Sequence, residues 1–177
     1  MSTKILIAGF GNLLRGDDGF GVTVVQRLSA YQDQKGFPDG VKVMEVGISG
    51  VSLVQELMIG YEVLLVVDAV DRGEKPGTTF QIEPSIKDLS AIDIEAQREF
   101  LSDMHYTEPS RALALAKALG VLPARVFILG CQPMTTEELG IGLSPSVNKA
   151  AVKAVEQIHE LIQEFARGNF VVKGPGN

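Results

Sequence analysis

The chain has 177 residues, of which 45% are hydrophobic and 21% charged, and a formal net charge of −6. Such a chain suffices for one domain with a sizeable core and is too apolar to be a disordered segment. The acidic balance disfavours nucleic acid, which demands clustered Lys and Arg, and no apolar run approaches the roughly 18 residues of a membrane span.

Met1-Ser2-Thr3-Lys4 leads straight into Ile5-Leu6-Ile7-Ala8 with no signal-peptide apolar region. A cytoplasmic protein without membrane contact is therefore expected. Lys4–Ala8 reads as a first strand. It runs into Gly9-Phe10-Gly11-Asn12-Leu13-Leu14-Arg15-Gly16-Asp17-Asp18-Gly19-Phe20-Gly21, where two close glycines turn the chain and two adjacent carboxylates open a helix. From Gly21 to Tyr31, Val22, Val25 and Leu28 recur at helical spacing. Beyond a loop at 36–40, Val41–Val46 is a second strand and Val51–Met58 a short helix, with Val51, Val54, Leu57 and Met58 expected on one face.

Val63–Val67 is the most apolar strand, expected at the centre of the sheet, and it stops at Asp68. Thr78–Glu83 is a further strand. Pro84–Asp103, polar and weakly periodic, reads as an excursion or lid outside the core. Pro109 suits the first turn of a helix running to Leu119 and capped by Gly120. Val126–Leu129 is the last strand, and about Pro145–Ala166 the final helix, with Val147, Ala151, Val155, Ile158, Ile162 and Phe165 on one face. Apolar strands alternating with amphipathic helices predict an α/β fold in three layers, with a twisted, mainly parallel sheet of about five strands between helices. No repeat or linker divides the chain. Residues 1–177 are read as a single domain, with 169–177 a flexible tail.

Gly9 and Gly11 fill the first two positions of G-x-G-x-x-G, but Leu14 stands third, where a glycine normally permits close helix–strand packing. A phosphate loop offers bare N–H groups and positive charge. Asp17 and Asp18 would instead repel a phosphate and attract a cation. Aspartates also favour helix caps and first turns, so a cap and a cation-binding carboxylate are both open readings for either residue. Asp68 lies where open α/β sheets place their ligand crevice, beyond the carboxyl ends of the strands. Asp71 reads as a solvated loop residue.

Of the two histidines, His105 stands in a loop ahead of a helix, whereas His159 lies on a polar flank beside Glu156 and Gln163. Cys131, the single cysteine, excludes an internal disulfide and reads as a buried, inert thiol with no activating base nearby. Neither G-x-S-x-G nor H-E-x-x-H occurs. Two carboxylates at strand-to-loop corners and one loop imidazole form a sparse N/O set. It suits a borderline divalent ion such as nickel or zinc and leaves room for ligands from a substrate.

Gly9–Leu14 followed by Asp17–Gly21 resembles the N-terminal signature of the [NiFe]-hydrogenase maturation proteases. Leu65-Val66-Val67-Asp68-Ala69 is similar to that family's strand ending in a metal-binding aspartate. His105 falls at the family's histidine, and Gly140–Val147 is similar to the segment leading into its last helix. The resemblance implies an endopeptidase that removes the C-terminal extension of a hydrogenase large-subunit precursor once nickel is inserted. It assigns metal contact and catalysis to Asp18, Asp68 and His105, with Asp18 standing where some members carry Glu, and leaves Asp17 as a cap. The ion would polarise the scissile carbonyl or acidify a bound water, and a carboxylate could act as general base.

Nickel is then supplied by the substrate, although zinc or cadmium could occupy the same site. The precursor is the expected partner, and a monomer the expected state. Glu45-Val46-Gly47-Ile48-Ser49-Gly50 departs from the acidic residue and Gly-Gly-Thr-x-Gly common in the family, at a loop thought to select the large subunit. Two alternatives stay open: a nickel-sensing assembly chaperone that does not cleave, and a nucleotide-binding α/β protein.

Overall fold

The computed structural model describes residues 4–102, 109–137 and 139–167. Five strands form one sheet: β1 (Ile5–Phe10), β2 (Val41–Gly47), β3 (Val63–Ala69), β4 (Thr79–Ile82) and β5 (Arg125–Cys131). Their order is β2-β1-β3-β5-β4, with β4 antiparallel on one edge and every other pairing parallel. Helices α1 (Phe20–Lys35) and α5 (Pro145–Ala166) cover one face, and α2 (Val51–Leu57) and α4 (Pro109–Ala118) the other. The expected three-layer α/β architecture is the one observed.

The period of two along the central strands builds both cores. Ile5, Ile7, Val63, Leu65 and Val67 pack beneath α1 and α5, while Leu6, Ala8, Phe10, Leu64 and Val66 pack beneath α2 and α4. Strands buried on both faces need apolar residues at every position, which is why β1 and β3 read as continuous runs.

Several boundaries and faces differ from the sequence reading. β3 continues through Asp68, which pairs with Gly130, because β5 runs on beside it as far as Cys131. Cys131 is therefore a strand residue. In α2, Leu53, Val54 and Leu57 are buried, whereas Val51 and, just past the helix end, Met58 face water. The close approach of Gly50, where a Cβ would lie 2.6 Å from that of Ala112, holds the helix start against α4.

The segment after β4 is no free lid. It forms a 3-10 turn (Leu89–Ala91) and α3 (Ile94–Ser102), and Leu89 is buried. Gln97 Nε2 donates to the carbonyls of Leu89 (2.8 Å) and Ile92 (3.0 Å), Lys117 Nζ to that of Ile86 (3.1 Å), and Arg111 to that of Phe100 (2.9 Å). The Phe100 ring lies 4.7 Å from the Lys87 ammonium and 5.3 Å from the Arg111 guanidinium. Polar and cation–π contacts, which leave little apolar periodicity, tie this segment to α4. The expected tail at 169–177 lies outside the described residues, as does His105.

Candidate active site

The candidate site lies at the carboxyl ends of β1 and β3, where glycines bring three elements into backbone contact. A Cβ on Gly21 would stand 2.0 Å from the Val67 carbonyl oxygen and 2.4 Å from that of Phe10. One on Gly9 would lie 2.4 Å from the Gly21 oxygen, and one on Gly11 (φ +126) 1.8 Å from that of Asp18. The start of α1, the preceding 3-10 turn (Gly16–Gly19) and the ends of β1 and β3 therefore interlock without side chains between them. The close helix–strand packing that a third glycine gives a dinucleotide loop is supplied here by Gly21. What the loop cradles is its own carboxylate-bearing turn.

Asp17 is not a cap. The turn is entered from Arg15 without a side-chain cap, and Asp17 is only 3% exposed. Its Oδ1 accepts from Ser144 N (2.7 Å), and its Oδ2 from Met134 N (2.8 Å) and Ser144 Oγ (2.8 Å). Met134 lies in the loop leaving β5, and Ser144 is the residue that enters α5. Their N–H groups belong to no strand or helix ladder and need an acceptor. Asp17 thus joins three separate segments, with partners more than a hundred residues away.

Asp18 is half-buried, and its Oδ2 accepts from Asn12 N at 2.9 Å. Burial pushes its carboxyl above the usual range, against the opposing pull of the Asn12 N–H and the Arg15 guanidinium. Asp68 is 7% exposed and in phase with Leu64 and Val66, on the α2/α4 side of the sheet. The turn carrying Asp18 packs against β3, so Asp18 and Asp68 both lie at the carboxyl end of the central strands. His105 lies in 103–108, immediately before Pro109 of α4 but outside the described residues. Among the described residues, no three His, Cys, Asp or Glu side chains converge as a metal site.

Gln132, which drew no attention in the sequence, organises the loop that follows Asp68. It is buried; its Oε1 accepts from Arg72 N (2.7 Å) and Glu74 N (3.1 Å), and its Nε2 donates to Asp71 Oδ1 (2.9 Å) and the Pro133 carbonyl (3.2 Å). Asp71 is accordingly bonded rather than merely solvated. Gln132 and the Gly73 N–H hold its carboxyl below the usual range.

Cys131 is fully buried, and burial together with the Asp17 charge pushes its thiol up to about 12. It stays protonated at neutral pH, as the inert reading expects. His159 is not simply on a solvated flank. Its ring packs edge-on against Tyr31, with centroids 4.7 Å apart, and lies 6.4 Å from Phe37.

A family model described as hydrogenase maturation protease matches residues 22–161, a span that includes Asp68 and His105 but begins after Asp18. The hydrogenase expression/formation protein HupD of Thiocapsa roseopersicina is 33% identical over 166 residues, covering 92% of this chain and 69% of its own. The crystal structure of a hydrogenase 2 maturation peptidase from a Thaumarchaeota archaeon matches with a TM-score of 0.60 at 31% identity, over 89% of this chain and 97% of that one. The hydrogenase maturating endopeptidase HybD from E. coli matches with a TM-score of 0.69 at 26% identity, over 92% and 93%.

Proposed function

The chain belongs to the hydrogenase maturation protease family, and from that premise we propose that it cuts the C-terminal extension from a nickel-loaded [NiFe]-hydrogenase large-subunit precursor. The observation that supports this reading is the placement of Asp18 and Asp68 at the carboxyl end of the central strands, on a turn packed against β3 and on β3 itself. Two carboxylates are too few to retain a metal alone. They suit a cation that arrives with ligands of its own, with His105 as the third contact from this chain.

Nickel belongs to the substrate in this scheme. When bound it would supply Lewis acidity at the scissile carbonyl or at the attacking water. The protein's side chains do the rest. Asn12 N–H occupies Asp18 Oδ2, and Oδ1 carries no hydrogen bond among the described residues. A carboxylate of the pair would also serve as the general base. It would take a proton from the water as its oxygen bonds to the carbonyl carbon; the C–N bond then breaks and the proton passes to the departing amine.

No helix among the described residues is long and apolar enough to cross a membrane. We assign the reaction to the cytoplasm, to an unassembled precursor and to a monomeric enzyme, as the family resemblance implies.

The test is incubation of purified protein with the nickel-loaded precursor, with the product mass as readout. Asp18→Asn, Asp68→Asn and His105→Ala should each abolish the shortened product while the far-UV spectrum stays native. Processing at the wild-type rate in any of them removes that residue from the site. Stable co-elution of wild type and precursor without cleavage would instead identify a chaperone.

A further inference from the structure

Large apolar side chains left in water gather beside this site. Leu13 and Leu14 immediately precede the carboxylate-bearing turn, and Met134 projects from the loop held by Asp17. Leu139 and Ile141, on the segment leading into α5, are 83% and 89% exposed. Single exposed apolar residues are ordinary, but neighbouring ones mark a binding surface. These belong to segments that are pinned together. Gly16 N donates to the Gly140 carbonyl (2.8 Å) and Gly140 N to that of Leu14 (3.0 Å), forming an isolated parallel bridge between Arg15 and Gly140.

That bridge uses both polar groups of Gly140 and leaves its neighbours open. Among the described residues, none hydrogen-bonds the backbone N–H or C=O of Leu139 or Ile141. Unpaired backbone next to exposed apolar side chains is the chemistry that receives an extended peptide: main-chain bonds give affinity and side-chain contacts give selectivity. A nucleic acid or an anionic membrane would not match an apolar edge on a chain of net charge −6. Continuity decides between a peptide and a second copy of the chain. The bridge hangs from the turn that carries Asp18, so a strand laid along 139–141 leads to the carboxylates.

We propose that residues 139–141, held in place by the Arg15–Gly140 bridge, add an extended apolar stretch of the precursor's C-terminal region as a neighbouring strand and so bring the scissile bond to Asp18 and Asp68. This rests on the peptidase reading above. It makes Leu139 and Ile141 determinants of substrate affinity and gives them no part in the chemistry.

The experiment combines kinetics with hydrogen exchange, using the nickel-loaded precursor from the same organism as probe. The Leu139→Asp/Ile141→Asp double variant should raise KM for processing by about tenfold or more while kcat stays within about twofold. Met58→Asp, exposed at the far end of α2, should leave both unchanged. Adding precursor should protect the amides of Leu139 and Ile141. A wild-type KM in the double variant, or no protection on binding, overturns the proposal. Protection that grows with protein concentration in the absence of precursor overturns it too, because the occupant is then a second copy. A wild type that binds with protection yet makes no product sinks the peptidase reading and keeps this surface. One that neither binds nor cuts sinks both.

Discussion

Asp17 and Asp18 are adjacent acids on one 3-10 turn, and the structure predicts opposite phenotypes for the same change at each. Asn at position 17 keeps the shape but offers a single oxygen. Ser144 N and Met134 N approach different carboxylate oxygens. Whichever way the amide turns, its NH2 therefore faces a backbone N–H. A buried donor without an acceptor costs about 1–3 kcal/mol, and losing the charge assistance of the remaining bonds brings the total to about 2–4 kcal/mol. That is roughly a 30- to 700-fold loss in the folding equilibrium.

Asp18→Asn differs because the amide oxygen can still accept from Asn12 N. Its effect on stability should stay within about 0.5 kcal/mol, while processing is lost. The sign with pH follows from the raised carboxyl pKa. Folding opposes ionisation here, so wild type carries a cost above the folded pKa and none below the unfolded one. Any stability advantage of Asp18→Asn should appear at neutral pH and fade as pH falls through the carboxylate range.

Urea titrations followed by circular dichroism, at neutral pH and at about pH 3, read both effects provided the m-values agree. An Asp17→Asn protein as stable as wild type would refute the three-segment tie. So would an Asp18→Asn protein that is the less stable of the two.

Gly21→Ala should lower Tm. The helix gains about 1 kcal/mol of propensity, but a methyl 2.0 Å from the Val67 oxygen forces α1 off β3 at a cost of about 3 kcal/mol or more. A wild-type Tm would show that the helix start can shift freely. Cys131 should resist iodoacetamide at about pH 8 in the native protein and react once urea unfolds it; rapid native labelling would contradict its burial. His159→Ala should cost about 0.5–1.5 kcal/mol through the lost contact with Tyr31 and leave processing intact. An inactive but folded variant would move the functional imidazole from His105 to His159.

What was legible in the sequence is what period and local chemistry encode. The apolar runs of β1 and β3, the face of α5 and the alternation of strands with helices gave the architecture, because each is a statement about neighbours along the chain. Asp68 stood out as a charge ending an apolar run, and Asp18 as one of two acids where a phosphate loop would carry none. Asp17 and Gln132 were misread or missed for one reason: the bonds that set their roles are long-range ones to backbone N–H groups, which carry no residue-type signature. A carboxylate serving Met134 and Ser144 looks in sequence like a carboxylate serving its own helix. The docked α3 segment escaped for a related cause, since side-chain bonds to carbonyls from Gln97, Lys117 and Arg111 replace an apolar stripe.

The sheet order has a consequence for assembly. β4 is synthesised before β5, yet pairs with it alone and lies at the outer edge. On the ribosome β1, β2 and β3 can combine as they emerge, but β4 must wait until the α3–α4 stretch and then β5 have followed. Its four residues therefore join last and share one ladder, the least anchored of the sheet. The same order governs reopening: β4 can peel away while β1, β3 and β5 stay paired, and it would release the Gly77 N–H bond to the Gln132 carbonyl before the carboxylates lose their frame. Native-state fluctuation is thus directed to one edge of the molecule, away from the β1–β3 seam on which Asp18 and Asp68 depend.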